Sequence, residues 1–250
     1  MGIPSALTAP QWGFYDVLFS KTNKDQKLKP EDKRQFSMPQ DFGSYVMENI
    51  LFKISFPAEF HAQTAAEAAV TLHPHVKDRL EEVDRIVITT HESAIRIISK
   101  QGKLANAADR DHCLQYMTAV PLIFGSLTAE HYEDSFHQAN PVIDSIREKM
   151  EVVEDERYTR EYLEEDKRSI ANAIQVFFKD GSSTDKVAVE YPIGHRRRRK
   201  DGIPLLEDKF YNNLATRFPG QRCEQIFRLC KDQKALESTS VHEFAELFVI

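Results

Sequence analysis

Apolar positions along this chain change their spacing several times, and each change predicts an element. Ala62, Ala65, Ala66, Ala69, Val70 and Leu72 recur at helical intervals behind Pro57. They predict a helix that ends before Pro74, preceded by a short extended segment from Ile50. The β-branched run RIVITT, residues 85–90, predicts a buried strand, and MEVVED, residues 150–155, a second. Between them, RDHCLQYMTAVPLIF predicts a single helix over residues 110–124. NAIQVFFKDGSSTDKVAVEYP, from Asn172, predicts two strands joined by a turn that begins at Asp180 and Gly181. Helical spacing returns after Gly194: Ile203, Leu206, Phe210, Leu214 and Phe218 mark one helix, and Cys223, Ile226, Phe227 and Cys230 another.

The first 20 residues are apolar and aromatic (Trp12, Phe14, Tyr15, Val17, Leu18, Phe19) without an opening cap, and read as the middle of a fold. SKTNKDQKLKPEDKRQ behind them reads as a solvated loop or linker. The expected class is α+β: an α+β domain over residues 51–192, inserted between helical segments at 1–50 and 193–250.

Composition narrows the function classes. The 250 residues are 41% hydrophobic and 29% charged, ordinary for a globular protein with a real core. A net charge of −6 offers no overall field for nucleic acid or an anionic membrane. No apolar run approaches the ~18 residues of a membrane span. The N-terminal stretch lacks the basic start and continuous apolar core of a signal peptide. Cys113, Cys223 and Cys230 form neither a disulfide framework nor a zinc pattern, and their odd number suits a reducing compartment.

Candidate chemistry lies at a few positions. His73 and His75 flank Pro74 and invite a metal, but no second cluster completes a ligand set, so no metal is expected. Arg196, Arg197, Arg198, Arg199 and Lys200 resemble a nucleic-acid patch, yet no stacking aromatics are interleaved. Intramolecular pairing with carboxylates at a domain junction is the favoured reading, ahead of contact with a substrate anion. His61 falls in the first turn of the predicted helix, where the macrodipole favours a neutral imidazole able to move protons; Lys53, eight residues upstream, supplies a charge. The alternative for His61 is a capping or buried structural histidine. His112 and Tyr116, four residues apart on the predicted helix, share a face suited to a cleft wall.

Four segments, FPAEFHAQTAAEAAVTL, DRDHCLQYMTAVPLIFG, VEYPIGHRRRRKDGIPLLEDKF and the terminal VHEFAELFVI, resemble the MmgE/PrpD family in the same order. The resemblance implies the C-terminal half of a longer protein: an α+β lid and parts of an all-helical domain. It implies a hydro-lyase that removes water from 2-methylcitrate to give 2-methyl-cis-aconitate, similar in chemistry to aconitase but without an iron–sulfur cluster or other cofactor. Carried over by motif, His61 and Tyr116 become the catalytic residues; charge and neighbourhood add Lys53 and Arg110 for the substrate carboxylates, and His112 to orient Tyr116 or contact substrate. The implied partner is a small tricarboxylate, with no nucleic acid and no membrane, in a homodimer of the full-length enzyme. The implied location is the mitochondrial matrix in a eukaryote or the cytoplasm in a bacterium. A sister activity on the same scaffold (decarboxylation or epimerisation of a related acid) and a non-catalytic interaction module are the alternatives.

Overall fold

The computed structural model describes residues 5–10, 13–19, 26, 27, 29 and 50–250. The chain divides into two compact units, Met1–Glu48 and Asn49–Ile250. The first holds helices α1 (Ser5–Thr8) and α2 (Phe14–Leu18); α2 carries Phe14 and Tyr15, and Phe19 just behind it is buried. Trp12 and most of the polar stretch at 20–35 lie outside the described residues.

The second unit is α+β, built on a four-stranded sheet in the order β2-β1-β3-β4. Strand β1 (Val83–Thr90) is central, parallel to β2 (Met150–Glu154) and antiparallel to β3 (Asn172–Phe178). Strand β4 (Val187–Val189) pairs antiparallel with β3 across the turn at Gly181, whose φ of +83° suits a residue without a side chain. Both neighbours of β1 satisfy its backbone, and Ile86 and Ile88 are fully buried, as the β-branched run predicts.

The sheet is covered by α3 (Gln63–Val76), which packs on β3, β4 and a second buried helix, α6 (Leu114–Phe124). Fully buried alanines on α3 (65, 66, 68 and 69), with Ala62 just before it, let the helices and sheet approach closely. The helix runs through Pro74 rather than ending before it. Pro74 is exposed and close to the helix end, so it removes a single ladder bond without a buried orphan.

The helix expected over 110–124 is two helices: α5 (Ala107–Asp111), capped by Asn106, and α6, with His112 closing the first and Cys113 opening the second. The break lets Arg110 turn inward. Three helices that the sequence pattern does not predict complete this region: α4 (Glu92–Ile98), α7 (Asp134–Ala139) and α8 (Val142–Arg147). A fourth, α9 (Glu156–Leu163), follows β2. After Gly194 come α10 (Arg199–Ala215), α11 (Gly220–Lys231), α12 (Gln233–Ser238) and α13 (Val241–Glu246). Leu214, Cys223 and Ile226 form a separate small core here, with Phe210 and Phe218 packed on it.

The arginine run is consumed internally. Arg198 grips Glu67 of α3 with two bonds of 2.9 Å, and Arg196 and Arg197 donate to the Asp166 carbonyl. Arg199 lies 4.0 Å over the Phe52 ring and donates to the carbonyls of Ile50 and Gly194. Arg198 therefore pairs with a carboxylate, and all four donate to main-chain or side-chain oxygens that tie residues 50–67 and 166 to the start of α10.

Candidate active site

The carboxyl ends of the parallel strands β1 and β2 lie side by side, a common place for sites in sheets with parallel strands. His91 follows β1 directly and opens α4; it is completely buried. The Asp155 amide donates to the Thr90 carbonyl, and the Asp155 side chain caps α9, so the chain turns back towards His91. A bond from the Glu92 amide to the Thr159 hydroxyl, 2.9 Å, holds α9, which carries Tyr162, against α4.

His61 reaches the same point from the other side. Residues 60–62 form a 3₁₀ turn before α3, capped by Glu59, whose carboxylate accepts from the His61 amide at 2.8 Å. The same carboxylate meets His61 Nδ1 at 2.8 and 2.9 Å. His61 Nε2 lies 3.2 Å from the Tyr162 hydroxyl. Asn172, at the start of β3, donates to the His61 carbonyl and to the Thr64 hydroxyl, both at 2.7 Å, anchoring the turn to the sheet. The His91 ring stacks on Tyr162 at 4.6 Å between centroids and lies 5.2 Å from His61.

The electrostatics follow from this packing. Burial works to raise the Glu59 pKa, but its bonds to His61 and the nearby imidazoles of His61 and His112 outweigh that and hold it below the usual carboxylate range. Burial, then the charge of His61, pushes His91 down to about 4, so it is neutral at ordinary pH. Burial, then the Glu59 charge, raises the Tyr162 phenol. Neither ring nitrogen of His91 has a hydrogen-bond partner among the described residues; nor do Thr90 Oγ1, Ser169 Oγ and Asn172 Oδ1. These buried polar atoms without partners gather at one end of the sheet, which makes it the candidate site.

The sequence-derived candidates divide. His61 is at the centre. His112 is half-exposed and close enough to bear on Glu59. Lys53 is exposed, its ammonium 5.0 Å over the ring of Phe60, next to His61. Arg110 is buried and braces the core, its guanidinium donating twice to the Tyr132 carbonyl and pairing with Asp134. Tyr116 is fully buried, its hydroxyl donating to the His131 carbonyl at 2.6 Å and its ring packed on Tyr132 and His137. Burial raises its pKa to about 12. His112 and Tyr116 do not share a helix face, because the chain breaks between them.

Three residues of the constellation are not legible as site residues in the sequence pattern. Glu59, two before His61, carried no signal, since glutamate is not a preferred N-cap residue. His91 stood where a buried strand ends in TTHES. Tyr162 had none, because α9 was not predicted. Among the described residues no group of three or more His, Cys, Asp or Glu side chains can hold a metal, and His73 instead contacts the Leu122 carbonyl at 3.0 Å.

Fold and site define a mixed α+β domain with a carboxylate-held histidine at the end of its sheet. The chain belongs to the MmgE/PrpD family: residues 56–233 match the model of the MmgE/PrpD C-terminal domain. It is 51% identical over 253 aligned residues to the 2-methylcitrate dehydratase of Escherichia coli K12, covering all of this chain and 50% of that protein. It is 49% identical to the mitochondrial 2-methylcitrate dehydratase of Yarrowia lipolytica, covering 99% of this chain and 45% of the relative. The match to the probable 2-methylcitrate dehydratase of Saccharomyces cerevisiae is 52% over 86% of this chain and 40% of that protein. The chain thus spans about half the length of the curated relatives it matches.

Proposed function

We propose that this chain is the C-terminal half of a 2-methylcitrate dehydratase, acting without an iron–sulfur cluster. Residues 51–192 would form its lid, and residues 1–50 and 193–250 would join a helical domain completed by an upstream half. The observation that carries this reading is the roughly half identity, along the whole chain, to relatives of that name in bacteria and a yeast.

The chemistry fits a histidine. Dehydration takes a proton from carbon beside a carboxylate; the C–H electron pair becomes the double bond, and the hydroxyl leaves as water after gaining a proton. A residue alternating between imidazole and imidazolium serves such transfers near neutral pH. His61 is assigned this role. Lys53, by its charge and its place over Phe60, and His112, by its nearness to Glu59, are assigned to the substrate carboxylates. Arg110 and Tyr116, with their groups engaged inside the core, are assigned to holding the helices that frame the site. The working enzyme is read as a homodimer, mitochondrial or cytoplasmic according to its source.

The test uses the chain extended upstream to the relatives' length. Ultraviolet absorbance follows the new conjugated double bond after 2-methylcitrate is added, with and without chelator, in wild type and His61→Ala. Chelator-resistant turnover that falls at least about a hundredfold in the variant, at nearly unchanged melting temperature, is expected. A folded full-length protein that leaves 2-methylcitrate untouched would move the reading to a sister activity or a non-catalytic module.

A further inference from the structure

The contacts of His61 are asymmetric. Its Nδ1 faces both oxygens of the Glu59 carboxylate, while its Nε2 faces one phenol hydroxyl carried by a helix about a hundred residues away in sequence. An ionised carboxylate only accepts hydrogen bonds, so the nitrogen facing it carries the proton. In a neutral ring the lone pair is then on Nε2, and a phenol that keeps its proton donates to it. Glu59 remains ionised and Tyr162 protonated at ordinary pH, by the directions of their shifts.

We propose that Glu59 and Tyr162 are positioning residues that set the working state of His61: Glu59 holds the ring proton on Nδ1, and Tyr162 occupies the Nε2 lone pair until substrate takes its place. The dehydratase reading is what makes Nε2 the nitrogen that meets substrate; the tautomer itself is a property of this chain. Buttresses surround both partners. Glu59 is fixed because the same carboxylate caps the turn through the His61 amide. Tyr162 is held flat on His91, at 13° between ring planes. His91 itself is neutral and makes no competing hydrogen bond among the described residues. The geometry resembles in logic a carboxylate orienting an imidazole for proton transfer, where loss of the carboxylate yields the wrong tautomer.

Long-range proton–nitrogen NMR of the histidine-labelled 250-residue chain, in alkaline buffer, distinguishes protonated from bare ring nitrogens. His73 is the internal control, because its Nδ1 faces a carbonyl and must also carry hydrogen. Wild-type His61 is expected as the Nδ1–H form. In Glu59→Ala the Nε2–H form is expected to become dominant, with His73 unchanged. In Tyr162→Phe the tautomer persists, and the bare Nε2 resonance shifts towards that of an unbonded nitrogen. Nε2–H in the wild type, or no change in Glu59→Ala, would overturn the Glu59 assignment; an unmoved Nε2 in Tyr162→Phe would overturn that of Tyr162. If Glu59→Ala does not fold, the wild-type tautomer and Glu59→Gln decide. In the upstream-extended enzyme, Glu59→Gln is expected to lower kcat roughly 10–100-fold, the scale seen when an outer partner of an oriented histidine is lost, with KM little changed. The expected tautomer in a protein inert towards 2-methylcitrate would leave the positioning intact and remove the dehydratase reading alone.

Discussion

A buried histidine that refuses a proton makes stability depend on pH. His91 falls from 6.5 to about 4 on folding, through burial first and the charge of His61 second. His195 falls to about 4 likewise, by burial and then by its neighbours Arg196 and Arg197. Between these values the unfolded chain binds protons that the folded chain excludes, so stability rises with pH across the window. Above pH 6.5 neither residue contributes; as pH falls towards 4, both favour unfolding. Glu59 adds to the acid loss, because its depressed pKa stabilises the fold above the ordinary carboxylate value and this gain disappears below it. The titratable groups that bear on His91 include His61, Tyr162 and, through space, Glu59. His91→Phe keeps the stack on Tyr162 but cannot titrate. Melting temperature measured against pH is expected to fall less steeply for this variant than for wild type between about pH 4 and 6.5. Parallel curves would mean that His91 already carries its proton in the folded state.

At the scale of elements, the segment after Ile50 and the return after β4 are clamped together. The Phe52 amide donates to the Gly194 carbonyl, and Arg199 covers the ring of Phe52. A β-carbon on Gly194 would stand 1.7 Å from the Phe52 carbonyl oxygen, a contact with main chain that no rotamer can relieve. Gly194→Ala is expected to cost at least about 3 kcal/mol, the upper end of over-packing penalties, and to loosen the entry to the His61 turn. Denaturant unfolding measures this; a midpoint equal to wild type would show that the clamp yields freely. Strand β1, the hairpin of β3 and β4, and the helices at 63–76 and 220–231 were legible because burial of a two-sided strand or a helical stripe leaves a local period. Helix α9 was not, for its sequence ERYTREYL is mostly polar and buries only Tyr158 and Glu161. The break at His112 and Cys113 was also hidden, because the contact it allows, from Arg110 to the Tyr132 carbonyl, lies 22 residues away.

For the molecule as a whole, the arginine run behaves as internal fastening in an acidic chain. Duplex DNA is expected to bind weakly even at low salt, in a fluorescence-anisotropy titration. Tight binding that falls steeply with salt, by a log–log slope near −0.9 per phosphate neutralised, would show that the run also reaches outward. The sequence by itself determined the α+β class and most strands and helices, and singled out His61 as a candidate, since these rest on local periodicity and on motifs within a few residues. Only the tertiary structure decided what surrounds that histidine. Glu59 is local, but its grip on Nδ1 depends on the geometry of the turn, and His91 and Tyr162 arrive through the crossing of two parallel strands and the helix that follows. Tyr116 and Arg110 stand beside His112 in the sequence and yet point into the core, because a side chain's partners are set by which elements pack together, and spacing along the chain does not encode that.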